Sequence, residues 1–306
     1  MSIVVIGASF VDIKGYPLTE YIPKGRNAGR IHHVHGGVAR NVVEDIANVG
    51  VPSTFVSLVD TTGIGEDVIE RLRNHHVNVD YIRKTADGLG TWLAIFDHTQ
   101  DVVGSISKRP DLSDILSILE EEGDAIFENA KSIVVEMDLP SDILMKVYEL
   151  ADKHNKNVYG VISNMSLALE HPQLLEKSEC IVCNEQEAEM LFEDNYNELT
   201  VDELMVAILH KVKQSTFKNV VVTLGERGAV YVNQNDEFGH CPAKDVKVLD
   251  TTGAGDSFFA GVVTGLTYGK SLKEACEMGT VLASTVIVSK DNTCPLFKPE
   301  EFGINL

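Results

Sequence analysis

Residues 250–261 read Asp-Thr-Thr-Gly-Ala-Gly-Asp-Ser-Phe-Phe-Ala-Gly, and this stretch is the strongest indicator of the fold. The apolar run Val246–Leu249 predicts a short strand before it, and the apolar residues of Phe258–Leu266 recur at helical spacing after it. The turn between strand and helix consists of Gly253, Ala254 and Gly255. Backbone N–H groups at the positive end of a helix dipole bind anions, so this turn is predicted to hold phosphate charge.

Asp256 lies in the first turn of that predicted helix. A carboxylate there can cap the helix and compensate its dipole. It can also act as a base that takes a hydroxyl proton while the anion hole stabilises a phosphoryl group in transfer. The three small residues directly before Asp256 favour the second interpretation.

Two other motifs resemble phosphate-binding loops only in part. Residues 60–65 read DTTGIG but have no Asp directly after the second glycine, so they are predicted to be a structural turn. Residues 269–271 read GKS but lack the earlier glycine of a P-loop, and Ser271 with Glu274 instead predicts a capping box at the start of a helix.

Elsewhere, short apolar runs alternate with amphipathic stretches. Runs such as Ile3–Ile6 predict strands, and stretches such as Ile143–His154 predict helices. This alternation indicates one α/β domain, residues 1–306, with a mostly parallel sheet covered on both faces. Segments 12–35 and 88–107 break the pattern, and we expect them to form a small β-sheet lid that excludes water from a site.

Composition excludes several classes of function. The chain has 26 Lys and Arg against 46 Asp and Glu, a formal net charge of −20, which repels nucleic-acid backbones and anionic membrane surfaces. No run of about 18 apolar residues predicts a membrane span. The N-terminus is interpreted as a first strand, and the five scattered cysteines are interpreted as reduced thiols of a cytoplasmic protein.

Three further motifs follow one another in an order typical of a single enzyme family. Residues 36–41 read GGVARN, residues 184–187 read NEQE and residues 223–228 read TLGERG. The paired glycines permit close backbone approach to a polyol, and the Asn offers a donor and an acceptor to vicinal hydroxyls. Together with residues 250–261, these motifs make nearly the whole chain resemble the ribokinase-like, or PfkB, family of carbohydrate kinases.

The resemblance implies a three-layer α/β/α fold with a β-sheet lid, and ATP-dependent phosphorylation of a primary hydroxyl with Asp256 as the base. Residues expected to bind the acceptor are Asp12, Gly36, Gly37, Arg40, Asn41 and Glu136. Residues implied to bind the nucleotide are Asn184, Thr223, Gly225 and Gly228. It further implies Mg²⁺ near Glu187 and a monovalent cation such as K⁺ near Asp250 and Thr252.

The most specific of these expectations concerns which acceptor is phosphorylated. The GGVARN motif is most similar to that of the family's pseudouridine kinases, and its Val38 stands where ribose enzymes of the family often have Lys. The resemblance therefore favours the 5′-hydroxyl of pseudouridine as the acceptor. In this interpretation Arg40 donates a hydrogen bond to a carbonyl group of the uracil ring. A free sugar such as ribose, fructose or another keto-sugar is the alternative. A non-catalytic sensor of sugars or nucleotides is a third, which the intact turn before Asp256 disfavours. The open edge of the lid, together with the resemblance, predicts a homodimer paired through the lid.

Overall fold

The computed structural model describes residues 1–99 and 101–306. Its strands are β1 (Ser2–Ile6), β2 (Phe10–Pro17), β3 (Gly29–Gly36), β4 (Ser53–Asp60), β5 (Asn78–Thr85), β6 (Gly90–Phe96), β7 (Val102–Lys108), β8 (Ala130–Glu136), β9 (Val158–Val161), β10 (Ile181–Asn184), β11 (Asn219–Thr223), β12 (Ala229–Asn233) and β13 (Phe238–Cys241). Its α-helices are α1 (Val38–Asn48), α2 (Gly63–Asn74), α3 (Ser113–Glu128), α4 (Ser141–His154), α5 (Met165–Ala168), α6 (Pro172–Leu175), α7 (Glu185–Phe192), α8 (Val201–Lys213), α9 (Ala254–Thr267) and α10 (Leu272–Val286).

The central sheet is parallel, with strand order β5-β4-β1-β8-β9. Successive strand residues point to opposite faces. On β1, Ile3 and Val5 therefore pack into a core with α1, α2, α9 and α10, while Val4 and Ile6 pack into a second core with α3, α4 and α8. Because both faces are covered, the predicted three-layer α/β/α fold is confirmed.

A second sheet, of order β10-β11-β12-β13, is only partly parallel. Strand β10 pairs in parallel with β11, whereas β11 with β12 and β12 with β13 are antiparallel. Asn184 at the end of β10 lies opposite Thr223 at the end of β11. This register places the two motifs that follow these strands at the same edge of the sheet.

The third sheet, here called the lid sheet, has the order β3-β2-β6-β7. Its strands come from the two segments expected to form a lid, although residue 100 of segment 88–107 lies outside the described residues. In the register, Asp12 lies opposite Trp92, and Trp92 opposite Ser107, so these three side chains share one face. The action of this sheet as a lid stays a prediction.

The strand predicted at Val246–Leu249 is wrong. These residues form an irregular segment, and Val248 and Leu249 are exposed. The segment pairs with none of the strands described above. It is held instead by a backbone hydrogen bond in which the N–H of Leu249 donates to the carbonyl of Ile287, beyond α10, at 2.7 Å. The turn before Asp256 is therefore entered from a loop, not from a strand.

Both partial phosphate-loop motifs are structural, as predicted. Asp60 accepts hydrogen bonds from the N–H groups of Thr62 (3.1 Å) and Gly65 (3.0 Å), which closes the turn into α2. Ser271 and Glu274 form a capping box in which each side chain binds the other residue's N–H group.

The five cysteines all lie in the described part of the chain, and all are buried and free. Across residues 1–99 and 101–306, no helix is long and apolar enough to span a membrane.

Candidate active site

A cavity of about 920 Å³ lies at the C-terminal ends of β1 and β8, against the lid sheet. It is closed on one side by the start of α1 and on another by the start of α9. The residues singled out from the sequence that line it are Asp12, Gly36, Gly37, Val38, Asn41, Glu136, Thr252, Gly253 and Asp256. The structure thus brings most of the expected acceptor and base residues to one cavity.

Asn41 and Asp256 form the central contact of this cavity. The side-chain Nδ2 of Asn41 donates to Oδ2 of Asp256 at 2.7 Å. Burial raises the pKa of Asp256 to about 6, although the Asn41 hydrogen bond and the charge of Arg40 act to lower it. A carboxyl group with a pKa just below neutrality is ionised at pH 7 and is still basic enough to accept a proton.

The start of α9 leaves backbone N–H donors without partners in the described part of the protein. Gly253 is its N-cap, with φ of +82°, and no side chain caps this end of the helix. Within the described residues, the backbone N–H groups of Gly255 and Asp256 have no protein acceptor. The Asp256 carboxylate does not bind them, so helix capping does not account for this side chain. The geometry matches an anion hole with a carboxylate beside it.

Gly253 can occupy its place only without a side chain. A Cβ atom there would lie 2.0 Å from the carbonyl oxygen of Asn292, which packs directly under the turn. Its positive φ is also unfavourable for residues that carry a Cβ. The close approach to Asn292 therefore fixes the shape of the anion-binding turn.

Asp12 and Glu136 supply the acidic part of the wall. Asp12 is half-buried on β2, and desolvation raises its pKa. Glu136, at the end of β8, accepts a hydrogen bond from the N–H of Ala8 at 2.8 Å. Burial, reinforced by the neighbouring Asp138, raises the pKa of Glu136, so its second oxygen can carry a proton and donate it to a hydroxyl in the cavity.

Gly37 turns the chain from the lid sheet into α1. It is the N-cap of α1 with φ of +95°, and a Cβ there would lie 2.9 Å from the carbonyl of Ala8. This close packing places Asn41 one turn into the helix, facing Asp256.

Asp250 and Thr252 are joined to each other ahead of α9. Oδ1 of Asp250 accepts hydrogen bonds from the backbone N–H (2.9 Å) and the hydroxyl (2.8 Å) of Thr252. The N–H bond lowers the pKa of Asp250, which stays ionised. Thr252 lines the cavity, whereas Asp250 lies outside its lining.

The residues expected to bind the nucleotide form a separate group, which does not line the cavity. Asn184 and Glu187 form a capping box at the start of α7, with Glu187 accepting from the N–H of Asn184 at 2.8 Å. Thr223 ends β11 next to Asn184, and a 3₁₀ turn at Gly225–Arg227 leads to Gly228.

An ion pair that the sequence analysis missed ties these two loops together. Arg227 donates to both carboxylate oxygens of Glu185, at 2.9 and 2.7 Å. Both residues lie inside motifs that were noted, but motif spacing alone does not show that the intervening positions meet.

Arg40 does not lie where the sequence interpretation placed it. Its side chain is fully buried behind Asn41, does not line the cavity, and is ion-paired with Glu44 at 2.6 Å. The expectation that Arg40 meets a uracil carbonyl is therefore corrected: helical spacing puts Glu44 one turn further along the same face of α1, where it binds the guanidinium.

Sequence reasoning missed other residues around the cavity. Asn292 reaches it from the loop after α10, and Asp45 of α1 anchors α9 by accepting from the Ser257 hydroxyl at 2.7 Å. Burial raises the pKa of Asp45 to about 7. Further polar residues of the wall include Ser107, Arg109, Asp138, Asn164, Glu170 and His171. None of these positions carries a local motif that could have revealed it.

The histidines of β3 do not form a metal site. His35 contacts Asp67 at 2.9 Å, and no group of three or more His, Cys, Asp or Glu side chains in the described residues is arranged to hold a metal ion.

The fold and the cavity define an α/β enzyme that sets a carboxylate beside an anion-binding helix terminus, the arrangement that phosphoryl transfer requires. The family model for pfkB family carbohydrate kinases matches residues 1–296. The chain therefore belongs to the pfkB family of carbohydrate kinases and is a kinase, and the resemblance drawn from its motifs is confirmed.

Individual relatives differ in the acceptors they are named for. A guanosine-inosine kinase from Exiguobacterium acetylicum is 34% identical over 292 residues, which cover 95% of each chain. A pseudouridine kinase from Escherichia coli is 23% identical, over 89% of this chain and 87% of that protein. The structure of an Arabidopsis thaliana ribokinase complexed with ribose and ATP superposes with a TM-score of 0.80 at 22% identity, covering 96% of each chain, and so shares the fold.

Proposed function

We propose that this kinase transfers the γ-phosphoryl group of ATP to the 5′-hydroxyl of a ribonucleoside, with a purine nucleoside such as guanosine or inosine as the first candidate. The observation that carries the proposal is the contact between Asn41 and Asp256 at the anion-binding turn, inside a cavity that also contains Asp12. This single arrangement offers a base, a hydroxyl-binding carboxylate and donors for phosphate charge.

The chemistry follows from that arrangement. The carboxylate of Asp256 takes the proton of the 5′-hydroxyl as its oxygen bonds to the γ-phosphorus of ATP and the bond from that phosphorus to the bridging oxygen breaks. The products are the nucleoside 5′-monophosphate and ADP, and the proton leaves Asp256 for solvent. The N–H groups of Gly255 and Asp256 stabilise the charge that develops on the transferred group. Asp12 and the remaining N–H of Asn41 line the same cavity and are proposed to hold the ribose hydroxyls.

The nucleotide is proposed to bind along the loops after β10 and β11, at Asn184, Thr223, Gly225 and Gly228. Mg²⁺ is proposed near Glu187, because one carboxylate oxygen of this half-buried side chain is taken by the capping box and the second is left to join water ligands. Bound there, Mg²⁺ would neutralise phosphate charge. A monovalent cation such as K⁺ is proposed beside Asp250 and Thr252, where an ionised carboxylate lies next to the anion-binding turn.

Two observations support a nucleoside over a free sugar. The lid sheet carries an aromatic cluster of Tyr16, Trp92 and Phe96, with Tyr16 and Phe96 stacked at 4.7 Å and Trp92 edge-on to Phe96 at 6.4 Å. Trp92 lies beside Asp12 on the same face, so the cluster, although it is not part of the cavity lining, offers aromatic surfaces next to it that suit a planar base. The relative with 34% identity is a guanosine-inosine kinase.

Pseudouridine remains the second candidate because a pseudouridine kinase is also among the relatives and the GGVARN motif resembles that group. A free sugar such as ribose is the third, in keeping with the family's name.

A panel of acceptors tests this proposal. Guanosine, inosine, pseudouridine, uridine, ribose and fructose are each offered with ATP and Mg²⁺, and the phosphorylated product is quantified. Stacking of a base on aromatic side chains contributes about 1–3 kcal/mol, so kcat/KM for the preferred nucleoside is expected to exceed that for ribose by about fivefold to 150-fold. A higher kcat/KM for ribose or fructose than for every nucleoside would contradict the proposal.

We further propose a single domain of residues 1–306, with lid segments at 12–35 and 88–107, that forms a homodimer through the lid. The face of the lid sheet opposite Asp12 carries Ile31, Leu93, Ile95 and Ile106, of which Ile31 is 71% and Ile106 69% exposed. A second copy presenting the same apolar face is the proposed occupant, because packing the two faces together would remove these exposed apolar side chains from water. Free buried cysteines fit the reducing cytoplasm, where we place the enzyme.

Substitution I106D is expected to convert the dimer to a monomer, because it places a charge within the proposed apolar contact. The measurement is the molar mass by light scattering across a concentration series. The matched control is V206D, which adds the same charge at a 62% exposed position on α8 and should leave the mass unchanged. A wild-type protein that stays monomeric at every concentration, or an I106D dimer as tight as the wild type, would disprove pairing through this face.

A further inference from the structure

Arg40 is a fully buried cation whose guanidinium reaches several parts of the site at once. Its Nη2 donates to Oδ1 of Asn41, to the backbone carbonyl of His35 at 2.8 Å and to Oδ1 of Asn292 at 3.1 Å. Its Nη1 donates to Glu44 at 2.6 Å. The side chain therefore contacts the end of the lid sheet, the helix that carries Asn41 and the loop after α10.

The contact with Asn41 fixes which end of that amide faces the cavity. With Oδ1 of Asn41 held by the guanidinium, Nδ2 points to Asp256 and donates to its carboxylate at 2.7 Å. The flipped amide would set its NH₂ against the guanidinium and its oxygen against the carboxylate, and both contacts are repulsive. Arg40 therefore selects the orientation in which Asn41 supports an ionised Asp256.

The contact with Asn292 reaches the anion-binding turn. The backbone carbonyl of Asn292 packs under Gly253, and its side-chain Nδ2 donates to the carbonyl of His35 at 2.7 Å. His35 is the penultimate residue of β3, at the base of the lid sheet. Arg40 and Asn292 together join the lid to the turn that precedes Asp256.

Glu44 keeps this arrangement charged. It is fully buried; burial alone would raise its pKa, but Arg40, Arg71 and a hydrogen bond from Thr293 outweigh that effect and lower it to about 2. Arg71 binds the same carboxylate, with Nη2 at 2.7 Å, and does not contact Asn41. Removing Arg40 therefore leaves the buried Glu44 carboxylate ion-paired with Arg71, so we expect such a variant to fold.

We propose that Arg40 is a positioning residue, which orients Asn41 toward Asp256 and couples the base of the lid to the anion-binding turn. This inference rests on the proposed function, because it gives Arg40 a part in holding Asp256 ready to accept a proton.

Other charged or titratable groups lie near Arg40 and Asp256 on the elements packed around them. They are Asp12 of β2, His35 of β3, Glu44 and Asp45 of α1, Arg71 of α2 and Glu136 of β8. Arg40 is the cation that lowers the pKa of Asp256, together with the Asn41 hydrogen bond that it holds in place. Losing Arg40 removes its charge and leaves the Asn41 amide free to rotate, so Asp256 should then ionise at higher pH.

The test compares R40M with R71M, because each removes one cation from Glu44 but only R40M frees Asn41. R40M is expected to lower kcat about tenfold to 100-fold, the effect of losing a hydrogen bond to a charged group, and to move the acid limb of kcat/KM to higher pH. R71M is expected to lose stability but to keep the kcat and acid limb of the wild type. A second measurement follows the ¹³Cγ NMR titration of Asp256 without substrates, assigned with D256N.

Equal kcat losses in R40M and R71M, or an unmoved Asp256 titration in R40M, would overturn the inference. If R40M does not fold, R40K carries the test: it retains the charge, but its single nitrogen cannot reach all four acceptors of Arg40, so kcat should fall while the acid limb moves less than in R40M. Wild-type kcat in R40K would equally overturn it. The titration of Asp256 needs no acceptor, so it tests this inference independently of the substrate. If the proposed function is wrong, the panel of acceptors offered to the wild-type enzyme shows it. If this inference is wrong, only the Arg40 variants show it.

Discussion

D256N is expected to lower kcat by about 10²–10⁴-fold, the usual effect of losing a general base. The substitution keeps the size of the side chain and an oxygen that can accept from Asn41, so the Asn41 contact and the fold should be retained. ATP affinity should change little, because the backbone donors at the start of α9 are untouched. The measurement is steady-state turnover with the best acceptor, alongside isothermal calorimetry with ATP.

The pH profile of the wild type adds an independent check. The pKa of Asp256 is about 6, so the carboxylate becomes protonated as pH falls through this value, and kcat/KM of the wild type should fall with it. The residual activity of D256N should lack this acid limb.

A matched control is available at the partial motif of residues 60–65. The turn that starts at Asp60 begins with Asp-Thr-Thr-Gly, as does the turn that starts at Asp250. D60N makes the same Asp-to-Asn change as D256N, and it should weaken the capping of α2 without changing turnover. Turnover of D256N within a few fold of the wild type would show that Asp256 is not the base.

The sequence predicted best those parts of the site that depend on contacts close along the chain. The start of α9 could be predicted because Gly253, Gly255 and Asp256 act through the local geometry of one helix terminus. The same holds for the capping box at Ser271 and Glu274, whose partners are three residues apart. Such patterns determine their own local structure.

Contacts between distant residues could not be predicted in this way. Arg40 meets Asn292, which is 252 positions away, and no pattern in either segment indicates this pairing. Without this contact, the position of Arg40 next to Asn41 in the sequence predicts that both bind the substrate. The packing of the Asn292 carbonyl under Gly253 is likewise visible only in the folded chain.

Patterning also failed where local sequence and tertiary context disagree. Val246–Leu249 has the composition of a strand, but in the folded chain it joins none of the three sheets, so it stays irregular, with Val248 and Leu249 exposed. Helix α3 was not singled out, although Ile115, Ile118 and Ile126 are buried on one face of it.

The substitution G253A is expected to remove most activity and to destabilise the protein. A Cβ atom at this position would lie 2.0 Å from the carbonyl oxygen of Asn292, and φ of +82° is unfavourable for Ala. The turn or the Asn292 loop must therefore shift by about an ångström, which moves the N–H groups of Gly255 and Asp256 away from the phosphoryl group. Loss of one such donor typically lowers kcat by about 10²–10³-fold, and we expect a loss of that size.

The matched control is G255A, two residues further along the same helix terminus. A Cβ atom there would have no protein atom within 4 Å, so the variant should fold with a melting temperature at or above that of the wild type. Its turnover should nevertheless fall, because the methyl group would occupy space that the phosphoryl oxygens approach. Melting temperature separates the two variants: G253A should lose both stability and turnover, and G255A only turnover. If G253A is as stable and active as the wild type, then the contact between Gly253 and Asn292 does not shape the anion-binding turn.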